Sequence, residues 1–171
     1  MRLFPGKIPV ISAEIARTLA EEGDIDAPDV AEVEEDVAAV LKEYLRTDRE
    51  LTERAKDLLE VRGLTYSQFS RVKKSVADER GFGTGEDAVE YIMGQVINIF
   101  MHSVHVEEVY AEDHDLRRKM KPILRKHMAV DEEVDEEVRT RIKNLEEGTR
   151  AWDVEYARVK EQILRRKGLS E

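Results

Sequence analysis

His105, Glu108 and Glu112 stand at i, i+3 and i+7, with His102 one turn earlier. On a helix this spacing lines up an imidazole and two carboxylates on one stripe, a donor set that suits zinc, manganese or iron. The wider pattern is incomplete. No Glu precedes a His by three residues, so the Glu-x-x-His pairs of di-iron bundles are missing, and so is His-Glu-x-x-His. The competing expectation is a charged surface or a helix contact.

A second set could bind anions. Arg117, Arg118, Lys119, Lys121, Arg125 and Lys126 form a basic run with no acid inside it. Arg117, Lys121 and Arg125 share a helical face beside Leu116, Met120 and Leu124, which gives a basic amphipathic helix suited to RNA, an acidic protein or anionic lipid. Acids flank the run on both sides, from Glu107 to Asp115 and from Asp131 to Glu137, so internal charge pairing competes for it.

The remaining candidates are weaker. Asp24, Asp26, Glu32 and Glu35 occupy positions 1, 3, 9 and 12 of an EF-hand loop. Pro28 and Asp29 then fall at positions 5 and 6, where a ligand and the turn glycine belong, so an acid-rich helix N-terminus is the better reading. Gly81, Gly83 and Gly85 precede a helix, but no strand comes before them and no Gly-Lys-Ser/Thr follows, so they read as a linker. His114 between Asp113 and Asp115 is a lone acid/base candidate and more naturally a surface residue. No nucleophile elbow, catalytic triad order or cofactor fingerprint occurs, and cysteine is absent. A non-enzymatic protein that needs no cofactor is the expectation.

The elements that must carry these residues follow from composition and period. The 171 residues are 39% charged and only 6% aromatic, and Leu, Val, Ile and Ala supply most of the apolar content. That mixture favours amphipathic helices, and the length suffices for a real core. The net charge of −10 is spread over both halves: residues 1–82 carry 13 basic and 18 acidic side chains, residues 83–171 carry 15 and 20. Neither half is a basic nucleic-acid module. The N-terminus lacks the apolar stretch of a signal peptide, and no run of about 18 apolar residues spans a membrane, so a cytoplasmic protein is expected.

Ser12 is positioned to cap a helix from about Ala13 to Glu22. Asp26 then caps a helix of about 35 residues in which Val30, Val37, Tyr44, Leu51 and Leu58 recur every seventh position. At 1.5 Å per residue it would run roughly 50 Å, so it is either broken near Thr47-Asp48 or a strut with long partners. Thr65 and Gln68 fit a capping box, as do Thr84 and Asp87. Val89, Ile92, Met93, Val96, Ile97, Phe100 and Val104 make one stripe. Val106, Val109, Leu116, Met120 and Ile123 lie on the opposite side, which marks a break near His102–His105 or a helix packed on two sides. Pro122 falls inside a helical pattern. Helices from Asp131 and after Gly148-Thr149 complete the chain, and no segment alternates long enough to be a strand.

Leu41, Tyr44, Leu45, Asp48, Leu51 and Gly83-Thr84 recur, at an offset of about 65 residues, as Val106, Val109, Tyr110, Asp113, Leu116 and Gly148-Thr149. This predicts an all-α bundle of two related helical units, 1–82 and 83–171, packed as one domain. Within it the second unit, between His102 and Met128, is the expected place for a specific contact.

The stretch from Val106-Glu107-Glu108-Val109-Tyr110 to Arg118-Lys119-Met120 is distinctive. So are Arg141-Ile142-Lys143-Asn144-Leu145-Glu146-Glu147-Gly148-Thr149, then Trp152 and Glu155-Tyr156, and the terminal Arg166-Lys167-Gly168-Leu169. Together they resemble a bacterial family known as domain of unknown function 507, over essentially the whole chain. The resemblance implies a bacterial cytosolic protein and brings no catalytic or ligand residues with it.

The leading expectation is an interaction or scaffold protein that binds a protein partner or associates with itself through long helical faces. The alternatives are an RNA- or ribosome-associated helper using Arg117 to Lys126 and Arg165 to Lys167, and a metal-dependent protein at His105, Glu108 and Glu112.

Overall fold

The structure is a computed structural model that describes residues 1–170. Its α-helices are α1 Ile8–Glu21, α2 Val30–Arg62, α3 Phe69–Arg80, α4 Ala88–His102, α5 Asp113–Met128, α6 Val130–Arg141 and α7 Arg150–Arg166. The one sheet among the described residues is a two-residue antiparallel ladder, β1 Ile25–Asp26 against β2 Glu108–Val109. The expected all-α bundle is the fold.

α2 is unbroken through Thr47-Asp48, and its 33 residues extend about 50 Å. Asp29 caps it rather than Asp26, accepting from the Ala31 N–H at 3.1 Å, because Asp26 belongs to the ladder. Gly63 ends it in the left-handed region at φ 63°, and the Leu64 N–H returns to the Leu59 carbonyl at 2.9 Å. So long a helix needs partners along its whole length. α1 and α4 cover its first half over Val33, Val37, Leu41 and Tyr44, and α3 covers its second half over Leu51, Ala55 and Leu59. The seven-residue seam is therefore filled by the chain's own helices.

Several expected starts shift by a turn. α1 begins at Ile8, five residues before the expected start, because Pro9 sits in the first turn where its missing N–H costs nothing. Ser12 lies inside that helix, buried, and its hydroxyl donates to the Ile8 carbonyl at 2.7 Å. Neither Thr65 nor Thr84 caps through its side chain, since each precedes a short 3₁₀ turn instead of an α-helix. Thr149 does cap α7, accepting from the Trp152 N–H at 3.2 Å.

The change of apolar face after α4 is a true break. α4 stops at His102, Ser103 is extended, and residues 103–112 cross by way of β2 to α5. Pro122 stays inside α5, which continues past it at the expense of one backbone hydrogen bond. The 65-residue offset does not appear as repeated structure: Leu41, Tyr44 and Asp48 lie in mid-helix, whereas Val106, Val109 and Asp113 lie in a loop, a strand and a helix start. Apolar residues at heptad spacing match one another in many registers, and that suffices to produce such an offset.

One apolar cluster runs from Leu3 to Met128 and holds α1 to α5 together. The glycine segment between α3 and α4 is part of it. Phe82 stacks on Tyr44 with centroids 4.7 Å apart, and the Tyr44 hydroxyl donates to the Gly83 carbonyl at 3.0 Å. A Cβ on Gly83 would lie 2.6 Å from Tyr91 Cβ, so only glycine fits. A second, smaller cluster of Val134, Val138, Ile142, Val159, Ile163 and Leu169 forms between α6 and α7 and is completed by Phe4. The N-terminal segment thus straps the two clusters together: Leu3 enters the first, Phe4 the second, and the Arg2 N–H donates to the Met128 carbonyl at 3.1 Å.

Candidate interaction surface

The histidine–carboxylate set does not converge. The helical stripe on which it was predicted is absent, because His105, Glu108 and Glu112 fall in a turn, a strand and a loop. His105 Nε2 faces Glu32 at 3.6 Å, Glu108 lies opposite Asp26 in the ladder, and Glu112 faces His114 Nδ1 at 3.3 Å. The His102 ring bonds the Asn98 carbonyl. Among the described residues no group of three or more His, Asp or Glu side chains is arranged to hold a metal ion, and that includes Asp24, Asp26, Glu32 and Glu35.

α5 does present its bases on one amphipathic helix, but most of them are neutralised from within. Lys119 reaches across to Asp24 at 2.6 Å and Glu22 at 2.7 Å, and the Asp24 bond raises its pKa. Arg117 and Lys121 both hold Glu90 on α4, at 3.2 and 2.6 Å, and the Lys121 bond holds the Glu90 carboxyl below its ordinary range. Arg117 also bonds Asp113, Arg118 pairs with Asp115, and Lys126 pairs with Glu14 on α1. His127, nearly buried, meets the same Glu14 at 2.7 Å. Of the six bases in the run, Arg125 alone is exposed with no ion pair among the described residues. The C-terminal bases are likewise engaged: Arg166 and Lys167 both pair with Glu137 of α6.

A different surface emerges on the arm formed by the second half of α2 and by α3. From Glu50 to Arg62 the arm extends about 20 Å, with α3 as the main cover for α2. Its tip exposes Val61 at 83% and Tyr66 at 74%, with Leu64 partly exposed beside them. Tyr66 stacks on Phe69, ring centroids 5.4 Å apart, which fixes the aromatic pair at the tip.

Beside the tip a groove of about 500 Å³ runs between the two helices. Arg54, Leu58 and Arg62, spaced i, i+4 and i+8, form its α2 rim, and Arg71, Ser75 and Glu79 form the α3 rim at the same spacing. Val72 and Val76 make the floor, and Leu64 and Gln68 close the tip end. Arg54, Arg62 and Arg71 are exposed and form no ion pair among the described residues. For two of them the isolation is built into the sequence, since Arg62 and Arg71 have no acid three or four positions away. Arg54 has Glu50 four before it, already held by Arg46 and Arg80, and Asp57 three after it, with which it forms no ion pair.

These arginines are scattered along the chain, so no run of charge draws attention to them. The legible signal is the missing acid at helical spacing, together with the exposed Val61, Leu64 and Tyr66 around the turn. A second exposed apolar set, Met101, Val104 and Tyr110, lies around the α4–α5 connection, while Met1, Val10 and Val154 are exposed singly. Two polar side chains there are spent internally, the Ser103 hydroxyl donating to Asp36 and His105 facing Glu32.

No helix of the described residues is long and apolar enough to cross a membrane. No curated protein matches the chain. A family described as a protein of unknown function, domain of unknown function 507, matches residues 1–169, and the chain belongs to that family.

Proposed function

We propose that this is a non-enzymatic cytoplasmic interaction protein whose partner-binding element is the α2–α3 arm. The observation that carries the reading is the arm tip, where Val61, Leu64 and Tyr66 are solvent-exposed on a rigid helical hairpin. Apolar side chains grouped at the end of a projecting element, beside arginine, have the composition of a binding patch. Val37, Tyr44 and Leu51 of the heptad seam are buried against the chain's own helices, which leaves little of it for self-association, so a different protein is the favoured partner.

The α4–α5 connection supports a second reading, because Met101, Val104 and Tyr110 are also exposed, at 57%, 88% and 67%. Photo-crosslinking in the native host separates the two. A benzophenone side chain at Val61 should give a discrete adduct whose partner, once purified, binds the wild-type chain and loses affinity for Val61→Glu with Tyr66→Glu. Adducts only from position 104 would move the site to the connection. Sedimentation at micromolar concentration tests self-association; a reversible dimer disrupted by the same two substitutions would make the partner a second copy.

A further inference from the structure

Resting on that reading of the arm, we propose that the groove between α2 and α3 receives an acidic amphipathic helix of the partner protein. The rims carry three cations and one acid, and none of the three cations forms an ion pair among the described residues. That isolation is informative in a protein where 38 acids outnumber 28 bases. The α5 bases, by contrast, are mostly matched to Glu14, Glu22, Asp24 and Glu90.

The floor sets the second requirement. Leu58 and Leu64, partly exposed above the largely buried Val72 and Val76, offer apolar surface that a bare polyanion cannot use. A nucleic-acid strand would also approach Glu79 and a chain of net charge −10. An amphipathic helix satisfies both requirements, with an apolar stripe against Leu58 and Leu64 and acids along the flanks. The rim residues span eight positions, about 12 Å, or just over two turns of such a helix. The charges also give it a direction. Arg62 and Arg71 stand at the tip end and Glu79 at the body end, so the occupant carries its acids mainly toward the tip.

A second copy of this chain fits less well. Its acidic α6 exposes Glu132, Glu133 and Glu136, but Val134 and Val138 are buried beneath them, so that face has no apolar stripe to offer.

The test uses the full chain against two displayed libraries of helical peptides with leucine on an i, i+4 stripe. One library has Glu or Asp on the flanks, the other Lys or Arg. The acidic library should enrich, and an enriched peptide should bind R54E/R62E/R71E roughly tenfold or more weakly than wild type. The reversed variant should instead select from the basic library. Should the reversal unfold the chain, R54Q/R62Q/R71Q, checked by circular dichroism, must show the same loss. Equal enrichment of both libraries overturns the proposal. So does binding of poly(U) RNA or phosphatidylserine vesicles, in place of the peptides, that the same substitutions abolish. A Val61 crosslink to a partner without acidic-peptide binding removes this inference and leaves the arm as the site. Loss of both removes the arm as well.

Discussion

Phe4→Ala should detach the α6–α7 hairpin and leave the rest of the molecule folded. Phe4 is 1% exposed, and its ring completes a cluster whose other buried members all come from Val134 to Leu169. Truncating a buried phenylalanine costs about 3–5 kcal/mol, the lost transfer energy plus the cavity left behind. The loss falls on a small unit. α6 and α7 pack mainly on each other, a single residue, Ala129, joins α5 to α6, and the strap of residues 2–6 supplies the main apolar link to the body. A loss of about 3 kcal/mol shifts a docking equilibrium more than a hundredfold. Hydrogen exchange read by mass spectrometry should therefore show α6 and α7 peptides exchanging about a hundredfold faster, with α2 and α4 peptides unchanged. An equal rise in all helices would refute the two-cluster reasoning, and unchanged α6 and α7 would refute the role of the strap.

Three further outcomes follow from individual contacts. Gly63→Ala meets no neighbouring atom but forces a left-handed φ of 63°, so it should lower stability by about 1 kcal/mol in urea unfolding, with the groove otherwise intact. Glu14 has its carboxyl held below 4.5 by the His127 bond, so its contribution is complete above that pH and lost as pH falls through the folded value; Glu14→Gln should flatten the acid limb of stability against pH, measured by thermal melts. R117E with K121E strips Glu90 of both its partners and should destabilise the chain by roughly 1–2 kcal/mol while leaving binding through the arm unchanged, measured by unfolding and by peptide titration.

Helix content was legible because the periodicity is strong, and the least certain point, the continuity of α2 through Thr47-Asp48, was decided by partners that the local sequence does not name. α1 and α3 between them cover both halves of a helix too long for either. Caps were harder. Ser12 and Asp26 each have capping chemistry, but Pro9 moved one start and the pairing of Asp26 with Glu108 moved the other, and that pairing is more than 80 residues distant in sequence. The basic run on α5 was visible as composition; its neutralisation was not, since Glu14, Glu22 and Asp24 come from the far end of the chain. The arm is hidden in the sequence for the converse reason: its charges are sparse along the chain and become a group only when α3 folds back on α2.

Tyr66 and Tyr110 permit the most direct comparison. They are the same residue type at similar exposure, 74% and 67%, one on the arm tip and one on the α4–α5 connection. Replacing each in turn with a photo-crosslinking phenylalanine in the native host, at matched expression, tests where the chain meets its partner. A discrete adduct from position 66 and none from position 110 is the expected result. An adduct from position 110 with nothing from position 66 would contradict the assignment of the interaction to the arm.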